Sequence, residues 1–439
     1  MTGRFPPKSP IRFTEMRTQR LLTVYLLLHI IVFIVYKNIY LKSEAGGIYR
    51  QNRCGTILHN SGKNTAMLRI FHTADLHLGM SFTRGYAKAV QEALAEARFK
   101  CLRRMVDLAN ENDCNLFVVA GDLFHNRGVA KKDIARVTRT LGDFNGGVVA
   151  VMPGNHDYIR PQDDMLWDVF KTKSEEGTLV LDSCRIFDLS GFGISAELYA
   201  CPCTAKHSAE NATGWIRPDS KKEQGAMRVG VAHGSMKGLS PDFDEQYFPM
   251  TTKSLLSKRL DIWLLGHSHI AYPATSEGKN ESIFLPSTPE PDGFDCQHSG
   301  SAWIISVDKK KQVSYQRIPT GHYRFHTIET SLKNPSDIRK LEKCCDSFTG
   351  RDIVKLVLSG RLPNAGHDEL EEFVDRLKER VAHLETSRTE LRRAITLEDL
   401  DNEYTQDSFP HRFLCDLAKH DPDGLALQIA YDLIREVAK

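Results

Sequence analysis

The chain has 439 residues, 41% of them hydrophobic and 26% charged, the composition of an ordinary globular protein of about three domains. Long disorder, collagen-like repeats and a multi-span membrane protein do not fit it. The formal net charge is +2, but residues 1–66 carry ten Lys/Arg against two acids, leaving residues 67–439 with 48 bases against 54 acids and a net of −6. Nucleic-acid binding cannot be argued from overall charge in such a chain.

Residues 21–36 (LLTVYLLLHIIVFIVY) hold no charged side chain and follow Arg12, Arg17 and Arg20. A spanning helix needs about 20 mostly apolar residues, so this segment reads as a marginal anchor or a signal-peptide core. The basic flank favours an N-terminus in the cytoplasm. A second reading stands beside it: Met67 opens an amphipathic strand leading into the first motif, and a domain starting there loses nothing it needs. Nine of the ten cysteines follow residue 67, including Cys201-Pro202-Cys203 and Cys344-Cys345. Without regular spacing they read as reduced cytosolic thiols, and none has the C-x-x-C spacing of structural zinc.

From residue 68 one pattern repeats. A short apolar, β-branched run stops, and a His, Asp or Asn follows at its C-terminal end. Residues 68–71 run into His72-Thr73-Ala74-Asp75-Leu76-His77, residues 116–120 into Gly121-Asp122-Leu123-Phe124-His125, and residues 148–152 into Pro153-Gly154-Asn155-His156-Asp157. Residues 229–232 run into His233-Gly234, and residues 262–265 into Gly266-His267-Ser268-His269. Between the first two lies a helical pattern over 86–110, with Ala89, Leu94, Ala97, Cys101, Met105 and Leu108 on one stripe. Strands alternating with helices predict an α/β layered fold whose ligands gather at the carboxyl ends of the strands.

Carboxylate, imidazole and amide without thiolate suit manganese, iron or zinc. Asp75, His77, Asp122, Asn155, His233, His267 and His269 are too many for one tetrahedral ion and suit two ions sharing a carboxylate. In an extended segment alternate residues point the same way, so Asp75/His77 and His267/His269 would each deliver two ligands together. The glycines before Asp122, Asn155 and His267 would let the backbone approach closely. Each piece alone is a weak signal; the ordered set of five is not.

The series D-x-H, G-D, G-N-H-D, H and G-H-x-H resembles the signature of the calcineurin-like metallophosphoesterases. HTADLHLG (72–79), GDLFH (121–125) and LPSTPEPDGFD (285–295) are similar to the SbcD-like DNA repair exonuclease branch, over about 68–310. Cys296 stands where that branch often has an acid. The resemblance implies a layered β-sandwich core flanked by helices. It also implies that Asp75, His77 and His269 hold one metal, that Asn155, His233 and His267 hold the other, and that Asp122 bridges. Such a pair, manganese above all, activates water and stabilises both oxygens of an in-line displacement. His156 would act on the leaving group, Asp157 would orient His156, and His125 would help place the phosphodiester. His72, His298, His322, His326, His367, His383 and His411 have no partner spacing and read as structural.

Residues 301–308 and 312–318 predict a hairpin across Lys309-Lys310-Lys311, a run read as a solvated turn rather than a phosphate contact. A strand over 323–332, a helix over 335–345 and a buried strand over 353–358 follow. Residues 368–395 read as one helix, with Leu370, Val374, Leu377, Val381, Leu384, Leu391 and Ile395 at spacings of three and four. Helices over 409–417 and 425–437 end the chain. The expected division is an N-terminal extension (1–66), a catalytic domain (67–320), a cap-like α/β domain (321–396) and a helical partner-binding segment (397–439). There is no G-x-x-x-x-G-K-[ST], so ATP dependence would come from a partner.

The leading expectation is therefore a cytoplasmic, metal-dependent DNA exonuclease or endonuclease, working with an SMC-like coiled-coil ATPase; a homodimer is left open. The alternative is a membrane-anchored or exported phosphoesterase acting on a small phosphodiester, nucleotide or phosphoprotein. A metal-free scaffold on the same fold is disfavoured, because every ligand position is filled.

Overall fold

The computed structural model describes residues 66–437 except 84, 161, 163, 218–225, 241–243, 297 and 422–423. The apolar segment 21–36 lies outside them. Among the described residues no helix is long and apolar enough to cross a membrane.

The chain runs β1 (Ala66–Thr73), α1 (Lys88–Glu111), β2 (Leu116–Ala120), α2 (Lys131–Gly142), β3 (Val148–Met152), α3 (Met165–Lys173), β4 (Thr178–Val180), β5 (Ile186–Asp188), β6 (Ala196–Cys201) and β7 (Met227–His233). It continues with α4 (Thr252–Ser257), β8 (Ile262–Gly266), β9 (Ala271–Tyr272), β10 (Glu277–Lys279), β11 (Ile283–Pro286), β12 (Ser301–Asp308) and β13 (Val313–Pro319). Two sheets result, a seven-stranded one in the order β10-β13-β12-β1-β2-β3-β4 and a six-stranded one in the order β5-β6-β7-β8-β11-β9. The fold is thus mixed α/β.

The sheets pack face to face because alternate residues of β1, β2, β7 and β8 are apolar on the facing sides. Ile70, Val118, Val231 and Leu264 share one buried core with Phe284 and Trp303. Trp303 is fully buried with its indole N–H donating to the Leu285 carbonyl at 2.7 Å, so its large apolar area is buried with its polar atom satisfied. Outside the seven-stranded sheet, Leu102, Met105 and Val106 of α1, Val137 of α2 and Phe170 of α3 form a second core with Phe71 and Phe117. The central strands are therefore apolar on both faces, as strands buried between layers must be. The hairpin of β12 and β13 forms across the lysine run, and Lys311 bonds the Ala226 carbonyl at 2.8 Å and Asp261 at 3.0 Å.

A third sheet follows, with all strands parallel, from β14 (Arg324–Leu332), α5 (Pro335–Cys345), β15 (Asp352–Leu362), α6 (Asn364–Arg380) and β16 (His383–Arg393). The single helix expected over 368–395 is corrected here: it ends at Arg380, and Val381 turns the chain into a strand. Thr386 and Thr389 favour that strand. The seven-residue spacing of Leu384 and Leu391 mimics a helical repeat for a definite reason. Val357 pairs with Ser387 but Ser359 with Glu390, so β16 holds one extra residue there. That bulge returns an odd-numbered separation to the same face, and both leucines pack on the core of α5 and α6. The chain closes with α7 (Leu397–Glu403), α8 (Phe409–His420) and α9 (Leu425–Val437). Phe82, Leu94, Phe325 and Ile353 join the third sheet to the first part of the chain in a small apolar cluster.

Candidate metal centre

The strand ends of β1, β2, β3, β7 and β8 meet at one edge of the two sheets. Backbone bonds splice the first two, with Asp75 N–H donating to the Gly121 carbonyl at 3.1 Å and His77 N–H to that of Asp122 at 3.0 Å. Extended geometry does not deliver the ligand pairs, contrary to expectation. Asp75, His77, Asp122 and His267 have φ of 56°, 47°, 53° and 91°, a left-handed backbone that costs of order 1–3 kcal/mol per residue. Each chain end turns sharply as it leaves its strand, and the turn aims the side chains. Gly121, at φ 96°, is required: a Cβ there would lie 2.0 Å from the His233 ring. At Gly154 a Cβ would lie 2.2 Å from the Asp122 carboxylate.

The side chains form two adjoining groups. In one, His77 Nε2 lies 3.3 Å from His269 Nε2, and His269 Nε2 lies 3.7 Å from Asp75 Oδ1. In the other, Asn155 Oδ1 lies 3.1 Å from His233 Nε2 and 3.0 Å from His267 Nδ1. Asp122 Oδ2 sits between them, 3.7 Å from His77 Nε2 and 3.4 Å from His233 Nε2. Ligand atoms bound to one ion at about 2.0–2.2 Å are separated by such distances. The donor chemistry fits as well. His233 Nδ1 faces the Ala120 carbonyl at 2.8 Å, which holds a proton on that nitrogen and turns Nε2 toward the cluster. The Asp75 carboxylate accepts the His267 N–H, and Asp122 Oδ1 accepts the His156 N–H at 2.9 Å.

Charge is concentrated here in little water. Burial raises the Asp75 pKa, with Asp122 adding to it, while His233 and His77 outweigh burial at Asp122 and hold it low. Burial tends to lower His233, but Asp122 and Asp75 carry it up to about 9.

A cleft of about 570 Å³ opens over both groups, lined by His77, Asp122, Asn155, His267 and His269 together with His125 and His156. The ring of His156 stands 4.8 Å from that of His77 and 5.3 Å from that of His125. Its Nδ1 meets the His125 carbonyl at 2.9 Å, leaving Nε2 for the cleft. Burial, then His156, lowers the His125 pKa. Asp157 lies behind. Among the described residues its carboxylate meets backbone rather than the His156 ring. It accepts Phe124 N–H at 2.9 Å and Gly154 N–H at 2.7 Å, and burial raises its pKa to about 7. It therefore positions both histidines through the turns that carry them.

Several residues lining the cleft or packed behind it escaped the motif reading. Arg98, fully buried on α1, donates to the Leu76 carbonyl at 2.7 Å and pairs with Asp292 at 3.2 Å. Its signal was available, since it sits four residues after Leu94 on the apolar stripe. Tyr247 packs on the His267 ring at 4.9 Å, and no spacing announced it. His298, read as structural, bonds Ser287 Oγ at 3.0 Å, and Ser287 bonds the His269 carbonyl at 3.2 Å. Cys296 lines the cleft with its thiol 3.1 Å from Asp292.

Strand ends that gather carboxylate, amide and imidazole into two adjoining groups suit a centre of divalent metal ions. Residues 68–271 match the calcineurin-like phosphoesterase family, which supports a metal-dependent hydrolase. The uncharacterized metallophosphoesterase YhaO of Bacillus subtilis is 24% identical over 346 residues, 72% of this chain and 79% of that protein. The DNA double-strand break repair protein Mre11 of Methanosarcina mazei is 25% identical over 268 residues, 60% of this chain but 40% of that protein. Among solved structures, TT1561 of Thermus thermophilus aligns at 11% identity and a TM-score of 0.32, covering 56% of this chain and 97% of that one. A dimetal phosphatase from Danio rerio aligns at 11% identity and a TM-score of 0.30, covering 57% and 99%.

Proposed function

We propose that the protein is a two-metal phosphodiesterase acting on DNA, an exonuclease or endonuclease of repair that works as the nuclease subunit of a complex with a coiled-coil ATPase. The observation that carries this reading is the pair His125 and His156 on the same cleft as the two ligand groups. A centre that only bound metal would need neither. When bound, two divalent cations, manganese first among them, supply charge for the phosphate oxygens and lower the pKa of water.

The protein's own groups do the rest. Asp75, His77 and His269 would hold one cation, Asn155, His233 and His267 the other, and Asp122 would serve both. His156 aims Nε2 at the cleft and gives a proton from it to the leaving oxygen, while the His125 carbonyl holds the ring through Nδ1. His125, held neutral by burial, hydrogen-bonds the phosphodiester rather than attracting it by charge. The similarity to Mre11 and the SbcD-like motifs support DNA over a small phosphodiester. This reading locates the protein in the cytoplasm and gives residues 397–439 to the ATPase.

The test is the full chain with linear DNA and manganese. Degradation that disappears in Asp122→Ala supports the proposal. Hydrolysis of bis(p-nitrophenyl) phosphate with DNA left intact would instead favour a small phosphodiester or nucleotide, the reading that also suits an anchor at 21–36. Loss of ATPase co-purification on deleting residues 397–439 tests the complex.

A further inference from the structure

A second cluster of metal-ligating side chains lies in the C-terminal helices, away from the strand ends. Asp401 of α7 and His411 and Cys415 of α8 bring one carboxylate oxygen, one ring nitrogen and one sulfur within 4.8 Å of one another. Both the Asp401 carboxylate, at 2.8 Å, and the Cys415 sulfur, at 3.7 Å, approach the same atom, His411 Nε2. A single proton on that nitrogen can serve only one of them, whereas an ion between the three serves all. His411 and Cys415 are four residues apart on one helix and so share a face. The sulfur–nitrogen separation already matches ligands of one tetrahedral ion, and the carboxylate needs to withdraw by only about 0.5 Å to do the same.

The surrounding packing gives such an ion something to do. Among the described residues, only Leu400, Leu414 and Leu427 are enclosed in the core of α7, α8 and α9. Large apolar side chains stay outside, among them Phe409 at 77% and Leu433 at 56% exposure. A helical unit this small has too little apolar burial to hold itself firmly, and small units commonly add a metal or a covalent staple. Leu400 precedes Asp401 and Leu414 precedes Cys415, so an ion there would clamp α7 to α8 at the residues next to the enclosed leucines.

We propose that Asp401, His411 and Cys415 bind a zinc-class divalent ion that fastens α7 to α8, with solvent in the remaining position. Imidazole, thiolate and carboxylate together select a borderline ion of this kind over manganese or magnesium, which separates this site from the thiolate-free centre at the strand ends. On binding, the Cys415 thiol releases its proton to solvent and the sulfur becomes an anionic ligand.

Cobalt titrated into the metal-stripped full chain tests this. The expected result is a near-ultraviolet thiolate-to-cobalt absorption that disappears in Cys415→Ser and His411→Gln but persists in Cys296→Ser, while manganese-dependent phosphodiesterase activity is unchanged in Cys415→Ser. A measurement on the unaltered protein guards against misfolding of a variant. With zinc at ten times its dissociation constant, the fraction of Cys415 open to iodoacetamide should fall about tenfold. No absorption in the unaltered protein, an absorption that survives Cys415→Ser, or equal alkylation with and without zinc overturns the proposal. None of these outcomes bears on the proposed DNA activity.

Discussion

The guanidinium of Arg98 donates to the carbonyl of Leu76, the residue between Asp75 and His77. One buried cation on α1 thereby holds the turn whose left-handed backbone aims two side chains into the cleft, and through Asp292 it holds the far wall as well. Arg98→Met should keep the fold, since methionine fills similar space, yet loosen that turn. Truncating one partner of a buried charge pair costs about 3–5 kcal/mol. Manganese affinity measured by calorimetry should fall at least about tenfold; undiminished affinity would show that the turn holds itself.

His156 should separate chemistry from metal binding. In His156→Gln, kcat on a phosphodiester should fall about 10²–10⁴-fold, while the thermal shift produced by manganese stays as in the parent. A lost shift would mean that His156 is a ligand.

Chelation should lower the melting temperature, because cations bind the folded site and not the dispersed side chains. Manganese at a hundred times its dissociation constant stabilises by about 2.7 kcal/mol, roughly 3 °C for a chain of this size. Asp122→Ala should abolish most of that shift by calorimetry, since one carboxylate faces both groups.

His72 supplies a test unrelated to catalysis. It is fully buried on β1, on the same side as Ile70 and Ala74, and burial lowers its pKa to about 3 from an ordinary 6.5. Above pH 6.5 it is neutral folded or unfolded and contributes no pH dependence. Between 6.5 and 3 only the unfolded chain takes up the proton, so stability falls as pH falls, by up to about 1.4 kcal/mol per unit. His72→Leu should remove this component. Urea unfolding at about pH 6.5 and about pH 5 should show the variant losing about 2 kcal/mol less than the parent; parallel losses would refute the assignment.

Asp157 should act through backbone. Asp157→Asn leaves one of two buried N–H groups, of Phe124 or Gly154, facing an amide NH₂, at a cost of about 1–3 kcal/mol. Denaturant midpoints should fall, and kcat should fall with them because both histidine turns shift. Lost activity at unchanged stability would point to a direct role beside His156.

The layered fold was legible because its strands are short, β-branched and punctuated by Gly or Pro, as at Val148–Met152 before Pro153-Gly154. Which side chains would meet was legible for the same reason: strand ends in such a sheet share an edge. How they meet was not. Nothing in the spacing of Asp75 and His77 reveals that both lie at positive φ, because that conformation is imposed by tertiary bonds to Gly121 and Asp122. Arg98 was hidden by its setting, a cation on an apolar stripe that makes sense only once Leu76 and Asp292 are beside it. The end of α6 was misread because a bulge in a strand and a turn of helix can leave the same trace in a list of leucines.

That bulge makes the third sheet tolerant of a loss and sensitive to a gain. Deleting one residue at 388 or 389 would remove no core side chain and would take out the extra residue itself, leaving Leu384 and Leu391 six places apart and still on one face. Inserting one residue there has the opposite effect: beyond the insertion Leu391 would turn out of the core and its charged neighbour Glu390 would turn in. Three nucleotides lost at that point are forgiven, whereas three gained turn half a strand inside out.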